Sequence, residues 1–125
     1  MHRVLSLEDV LGKASTFVLL AANARFVDRN PKISSAMVKA MDTAMVMIKA
    51  DPAKAAAIYL KQEPAKSMNT EYVERILRDL ENVFSAAPGG LTTYAAFMQR
   101  TGQIKTKPAK WQDVFFPFIQ DRQGS

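Results

Sequence analysis

The chain has 125 residues, 48% hydrophobic and 23% charged, with a formal net charge of +5. That is enough chain for a modest core and ordinary globular composition. It contains no cysteine, which excludes disulfides, thiolate nucleophiles and cysteine-based metal sites.

Several other classes recede on the same grounds. The single histidine, His2, stands at the extreme N-terminus, where a solvated residue is expected. No stretch approaches the roughly 20 apolar residues of a membrane span. Met1-His2-Arg3 carries a positive charge, but Glu8 and Asp9 follow before any hydrophobic run, so no export signal is read. If Met1 is a true start, the chain stays in the cytoplasm. Lysines and arginines are interleaved with acids along the whole chain. Lys105, Lys107 and Lys110 beside Trp111 form the densest basic group, and a solvated loop is expected there rather than a nucleic-acid site.

In chain order, Ser6-Leu7-Glu8-Asp9 is a capping box, and with Val10-Leu11 before Gly12 the stretch reads as a short helical turn or an edge segment. Ser15 to Ala21, rich in β-formers and apolar on both faces, predicts the one main strand. Such a strand belongs inside a sheet covered on both sides, yet the rest of the chain offers almost nothing to pair with it. Asn23 to Asp28 predicts one or two helical turns.

Asn30 to Ala50 predicts a long helix, with Asn30 as cap and Pro31 at the first helical position. Its apolar residues, including Ile33, Met37, Val38, Met41, Met45, Met47 and Ile48, fall on an arc of roughly 200°. Only Ser34 interrupts that arc. A surface helix needs a stripe of only about 100°, so this helix is expected to be covered from two directions. The four methionines read as core filling rather than as a metal or peptide groove.

Asp51-Pro52 starts a second helix to Lys61, with small residues at Ala53, Ala56 and Ala57, and Glu63-Pro64 stops it. Asn69 or Thr70 caps a third, whose stripe is Val73, Ile76, Leu77 and Leu80. Glu71 with Arg75 and Glu74 with Arg78 are favourably ordered pairs on its surface. Val83-Phe84 reads as a stub of strand. Pro88-Gly89-Gly90 is a turn, lacking the glycine spacing of a phosphate-binding loop. Leu91, Tyr94, Ala95 and Met98 mark a fourth helix closed by Gly102. Trp111, Val114, Phe115 and Phe116 form an aromatic anchor, and Asp121 to Ser125 are expected to fray.

The residues hold no nucleophile elbow, no H-x-x-x-H and no clustered carboxylates. An enzyme is not expected, nor a metal or any cofactor.

The order of segments resembles one family. Val4-Leu5-Ser6, Asp9-Val10-Leu11-Gly12, Thr16-Phe17-Val18-Leu19, Ala24-Arg25-Phe26, Asn30-Pro31, Ala50-Asp51-Pro52, Ile58-Tyr59, Gly90-Leu91 and Tyr94-x-x-Phe97-Met98 carry it. The most specific part runs from Gly102-x-Ile104-Lys105-Thr106-Lys107-Pro108-Ala109-x-Trp111 to Asp113-x-Phe115-Phe116-Pro117. In these the chain resembles the substrate-binding proteins of ABC transporters of the nitrate, sulfonate and taurine type, a group that includes thiamine-pyrimidine-like relatives. The resemblance implies an α/β fold, namely the mostly helical C-terminal part of a two-lobe periplasmic-binding-protein type II fold with one main strand and about four helices.

On that reading, residues 1–125 are a single C-terminal fragment: a crossover-strand region over 1–29, a helical part over 30–117 and a tail over 118–125. The resemblance also implies a periplasmic location, a small anionic or heterocyclic solute, hinge closure on it and delivery to a membrane permease. No nucleic-acid partner is implied. Ser15 and Thr16, polar groups entering the presumed crossover strand, are the candidate ligand-binding residues. A second reading is a small helical interaction module that covers its apolar strand by homo-oligomerising or by binding a partner.

Overall fold

The computed structural model describes residues 4–125; His2 and the Met1-His2-Arg3 group lie outside them. Six α-helices follow one another: α1 (Leu7–Leu11), α2 (Ala24–Arg29), α3 (Pro31–Ala50), α4 (Pro52–Gln62), α5 (Thr70–Arg78) and α6 (Leu91–Arg100). Two 3₁₀ turns, Trp111–Val114 and Pro117–Ile119, complete the regular structure. The chain forms two compact units. One holds Arg25–Ala86; the other joins Met1–Ala24 to Ala87–Ser125.

Local signals set the helix ends. The Ser6 hydroxyl accepts from the Asp9 N–H (3.0 Å), and the Asp9 carboxylate accepts in return from the Ser6 N–H (2.8 Å). Gly12 closes α1 at φ +72°, its N–H donating to the Glu8 carbonyl. Asp51 caps α4 by accepting from the Lys54 N–H at 3.0 Å, and Asn69 caps α5 by accepting from the Tyr72 N–H at 2.8 Å.

In the unit of Arg25–Ala86, α4 packs chiefly on α5, and α3 meets both. Ala56 on α4 is fully buried and Val73 on α5 nearly so. Small residues on α4 are what allow that approach. Ala56→Leu is expected to overpack the contact and cost about 1–3 kcal/mol. Ala57→Leu, on the exposed side of the same helix, stays within about 0.5 kcal/mol. Thermal melts followed by helical circular dichroism check this; equal melting temperatures would show that α4 and α5 do not pack through Ala56.

Several expectations are corrected. No strand forms among the described residues: Ser15 to Ala21 carries no helix or strand, and neither does Val83-Phe84. The α/β reading, the C-terminal part of a type II periplasmic-binding-protein fold with a main strand at 15–21, is therefore overturned in favour of an all-helical chain. The physical reason is pairing. A strand is stabilised by a neighbour's hydrogen-bond ladder, and no second segment supplies one here.

The long helix α3 is not enclosed either. Its one buried residue is Ser34, the polar break in the apolar arc, whose hydroxyl donates to the Asn30 carbonyl at 3.1 Å. Ile33, Met37, Val46 and Met47 are exposed, while Met41 and Met45 are half-buried, so the methionines do not fill a closed core.

On α5, Glu74 and Arg78 pair at 2.8 Å, whereas Arg75 lies over the ring of Tyr72, 5.2 Å from its centre. The stripe is cut short before Leu80. The Asp79 carboxylate accepts from the Glu81 N–H, and the Asn82 amide donates to the Ile76 carbonyl. Those local bonds compete with a further helical turn and leave Leu80 in solvent.

Candidate functional site

The best-ordered polar arrangement in the unit of Met1–Ala24 and Ala87–Ser125 surrounds the turn Pro88-Gly89-Gly90. The Thr16 N–H donates to the Gly89 carbonyl (2.9 Å), and the Thr16 hydroxyl accepts from the Gly89 N–H (2.8 Å). Ser125 holds the turn through three further bonds. Its hydroxyl accepts from Gly90 N–H (3.0 Å), its carbonyl from Leu91 N–H (2.9 Å), and its own N–H donates to the Pro88 carbonyl (2.9 Å). Residues 121–125, expected to fray, are thus tied down.

Glycine is required where this turn closes. Gly90 has φ +70°, and a Cβ there would stand 2.4 Å from Ser15 Oγ. A Cβ on Gly124 would stand 2.6 Å from the Trp111 indole. Trp111 is only 5% exposed and meets Phe115 edge to face, ring centres 5.6 Å apart. The neighbouring Asp113 carboxylate accepts from the N–H groups of Ala109 and Lys110 at 3.0 and 3.1 Å. Val114, assigned to the anchor from sequence, is exposed.

The arrangement fixes what these groups can do. The N–H groups of Gly89, Gly90 and Leu91 are the donors that would cradle an anion, and all three are taken by the chain itself. The clasp joins backbone groups to the hydroxyls of Thr16 and Ser125, an arrangement that holds a loop closed. Thr16 spends its hydroxyl and its N–H on Gly89. Ser15 Oγ is buried without a hydrogen-bond partner, beside Gly90. The two candidate ligand-binding residues therefore lie together against the turn. Sequence reading missed Gly124 and Ser125, whose only signal is their small size.

The unit of Arg25–Ala86 carries two open depressions. One, of about 410 Å³, is lined by Pro31, Lys32, Ser35, Ala36 and Lys39 at the start of α3. The other, of about 540 Å³, lies among Lys49, Pro52, Leu77, Leu80, Val83 and Phe84. Arg78 and Asn82 also line the second, but Glu74 and the Ile76 carbonyl already hold them. Neither depression collects the convergent polar groups that fix a small ligand. Among the described residues, no three His, Cys, Asp or Glu side chains come together as a metal would need. No helix there is long and apolar enough to cross a membrane. Lys105, Lys107 and Lys110 are exposed, but the buried Trp111 presents no ring on which a base could stack.

No family model, curated protein or solved structure matches the chain.

Proposed function

We propose that the chain serves an ABC-type importer as part of its solute-binding component, on the periplasmic side, in the capture of a small anionic or heterocyclic solute such as a sulfonate, taurine or nitrate. The observation that carries this reading is the stretch from Gly102 to Pro117. It is the densest part of the resemblance, and its characteristic residues each have a structural task. Gly102 ends α6 at φ +75°, Asp113 binds two backbone N–H groups and Trp111 is buried. The two-lobed α/β fold does not accompany the proposal, because the chain is helical.

The role assigned is non-catalytic and structural within the receptor. Ser15 and Thr16 support a turn instead of lining a cleft, so the isolated chain is expected to give no saturable heat with taurine, alkanesulfonates, nitrate or pyrimidines. A saturable micromolar response would overturn that expectation. The function itself is tested in the cell by deleting the coding segment and measuring uptake of the labelled solutes. Loss of uptake of one of them supports the proposal, and unchanged uptake of all of them refutes it.

A second reading, a homo-oligomerising interaction module, is favoured by a different observation. Phe17, Val18, Leu19 and Leu20 are all exposed in an uninterrupted run. Isolated exposed apolar residues are ordinary, but a contiguous patch marks a contact surface.

A further inference from the structure

We propose that Met37 and Met47 on α3 form a reversible oxidation site for peroxide, and that they take oxidant in place of Met41 and Met45 on the same helix. The site is independent of both functional readings above and adds a covalent modification to either.

The chain has seven methionines and no cysteine, so the thioether is the one kind of oxidisable sulfur it offers. Four of the seven stand on α3, at positions 37, 41, 45 and 47. At 100° per residue the apolar arc of that helix divides into two strips, each about 80° wide. Ser34, Val38, Met41, Met45 and Ile48 make one strip, and all are buried or half-buried. Ile33, Met37, Ala40, Ala44 and Met47 make the other, and all are exposed. Met37 is 50% exposed and Met47 48%. Among the described residues they are the only exposed methionines, since Met68 and Met98 are half-buried like Met41 and Met45.

The chemistry asks only that the oxidant reach the sulfur. A sulfur lone pair attacks one peroxide oxygen, the O–O bond breaks, and the other oxygen leaves as water. The thioether loses two electrons, the peroxide gains them, and a sulfoxide remains. A helical side chain leans back over the preceding turn. The residues one turn back from Met47 are Thr43 and Ala44, which are too small to screen its sulfur.

Position then decides what the modification does. A sulfoxide is polar and chiral where the thioether was flexible and apolar. On the exposed strip it stays in water, and α3 loses no packing. On the covered strip it would enter the side of α3 that has apolar residues to pack, in a helix that meets both α4 and α5. The exposed pair can therefore be oxidised without cost to the unit, and each peroxide it consumes is one that Met41 and Met45 do not meet. Return is balanced as well: two thiols become a disulfide, the oxygen leaves as water, and the thioether is restored. Methionine sulfoxide reductases run that step, and an exposed side chain is open to them.

Peptide mapping by mass spectrometry, on the full chain treated with graded hydrogen peroxide, tests this. Met37 and Met47 are expected to gain oxygen at least about fivefold faster than Met41 and Met45, which react chiefly when the packing of α3 opens. Reductases for both sulfoxide epimers, supplied with a dithiol, should return Met37 and Met47 to the thioether. At about two equivalents of peroxide per chain, the Met37→Leu/Met47→Leu variant should carry at least about twice the wild-type sulfoxide at Met41 and Met45. Glutamine, polar and of similar length, imitates the sulfoxide in a second measurement. Met37→Gln/Met47→Gln should move the helical melt by less than about 2 °C, and Met41→Gln/Met45→Gln should lower it by at least about 5 °C. Equal oxidation rates at the four positions overturn the proposal. So does inner-pair oxidation that is unchanged by the leucine replacements, or equal melting shifts for the two glutamine variants.

Discussion

Replacing Gly90 by alanine is expected to lower the melting temperature of the unit of Met1–Ala24 and Ala87–Ser125 by roughly 10–30 °C. Two costs add. A non-glycine residue at φ +70° is disfavoured by about 1–2 kcal/mol. Its Cβ would also overlap Ser15, 2.4 Å from Oγ and 3.1 Å from Cβ, and overpacking of that kind costs about 1–3 kcal/mol. A domain of this size moves by about 4–8 °C per kcal/mol. The turn cannot slide away, because Thr16 holds it on one side and Ser125 on the other. Trp111, the single tryptophan, reports this unit alone, so its emission follows the transition directly. The double variant with Ser15→Gly separates the costs: it should recover most of the overlap and none of the backbone strain. A melting temperature within about 1 °C of wild type would mean that Ser15 and Gly90 are not in contact.

Trp111→Ala is expected to cost about 3–5 kcal/mol, the range for emptying a buried aromatic site. Trp111 is held by Phe115 edge to face and by the backbone of Gly124, which leaves room for the indole only because it lacks a Cβ. Removing the ring frees Gly124 and Ser125 from their seat, and the bonds of Ser125 to the Pro88-Gly-Gly turn should loosen with them. Limited trypsin digestion is the check. Cleavage after Lys105 and Lys110 should accelerate by at least about tenfold, because proteolysis of an opened segment follows its opening equilibrium; the Lys107–Pro108 bond resists trypsin in either state. Val114→Ala, at an exposed position of the same turn, should change cleavage little. Equal rates for the two variants would show that the aromatic cluster does not anchor the segment.

How much of this could be read in advance depends on the range of the interaction. Caps act over three or four residues, so Ser6 with Asp9, Asp51 with Lys54, and Asn69 with Tyr72 were visible as letters before they were seen as bonds. Gly102 was likewise legible, because a left-handed residue after a helix is a local demand. The expected strand failed because its composition measures willingness to pair, while pairing needs a second segment that composition cannot supply. Ser34 inverted the periodicity argument: the one polar residue in the apolar arc of α3 is the one that is buried. Its hydroxyl is satisfied one turn back by Asn30, which removes the usual penalty for burying it. The clasp at Pro88 to Gly90 was invisible for the opposite reason to the caps. Its partners, Thr16 and Ser125, are remote in sequence, and a serine near the end of a chain carries no sign of where it will be held.

The order in which the clasp's pieces leave the ribosome has its own consequence. Thr16 waits 73 residues for Gly89, and Ser125 arrives later still. At the usual 5–20 residues per second of synthesis, Thr16 is without its partner for about 4–15 s, and the apolar run after it is exposed both before and after the clasp closes. During that interval the intervening helices α2 to α5 can fold, since Arg25–Ala86 is contiguous and compact. Their folding shortens the loop that must close, whose entropy cost would otherwise be about 4 kcal/mol. Neighbouring chains on one polysome would expose the same run in sequence at close spacing. Where the nascent chains first meet, Phe17 to Leu20 is the surface they have in common.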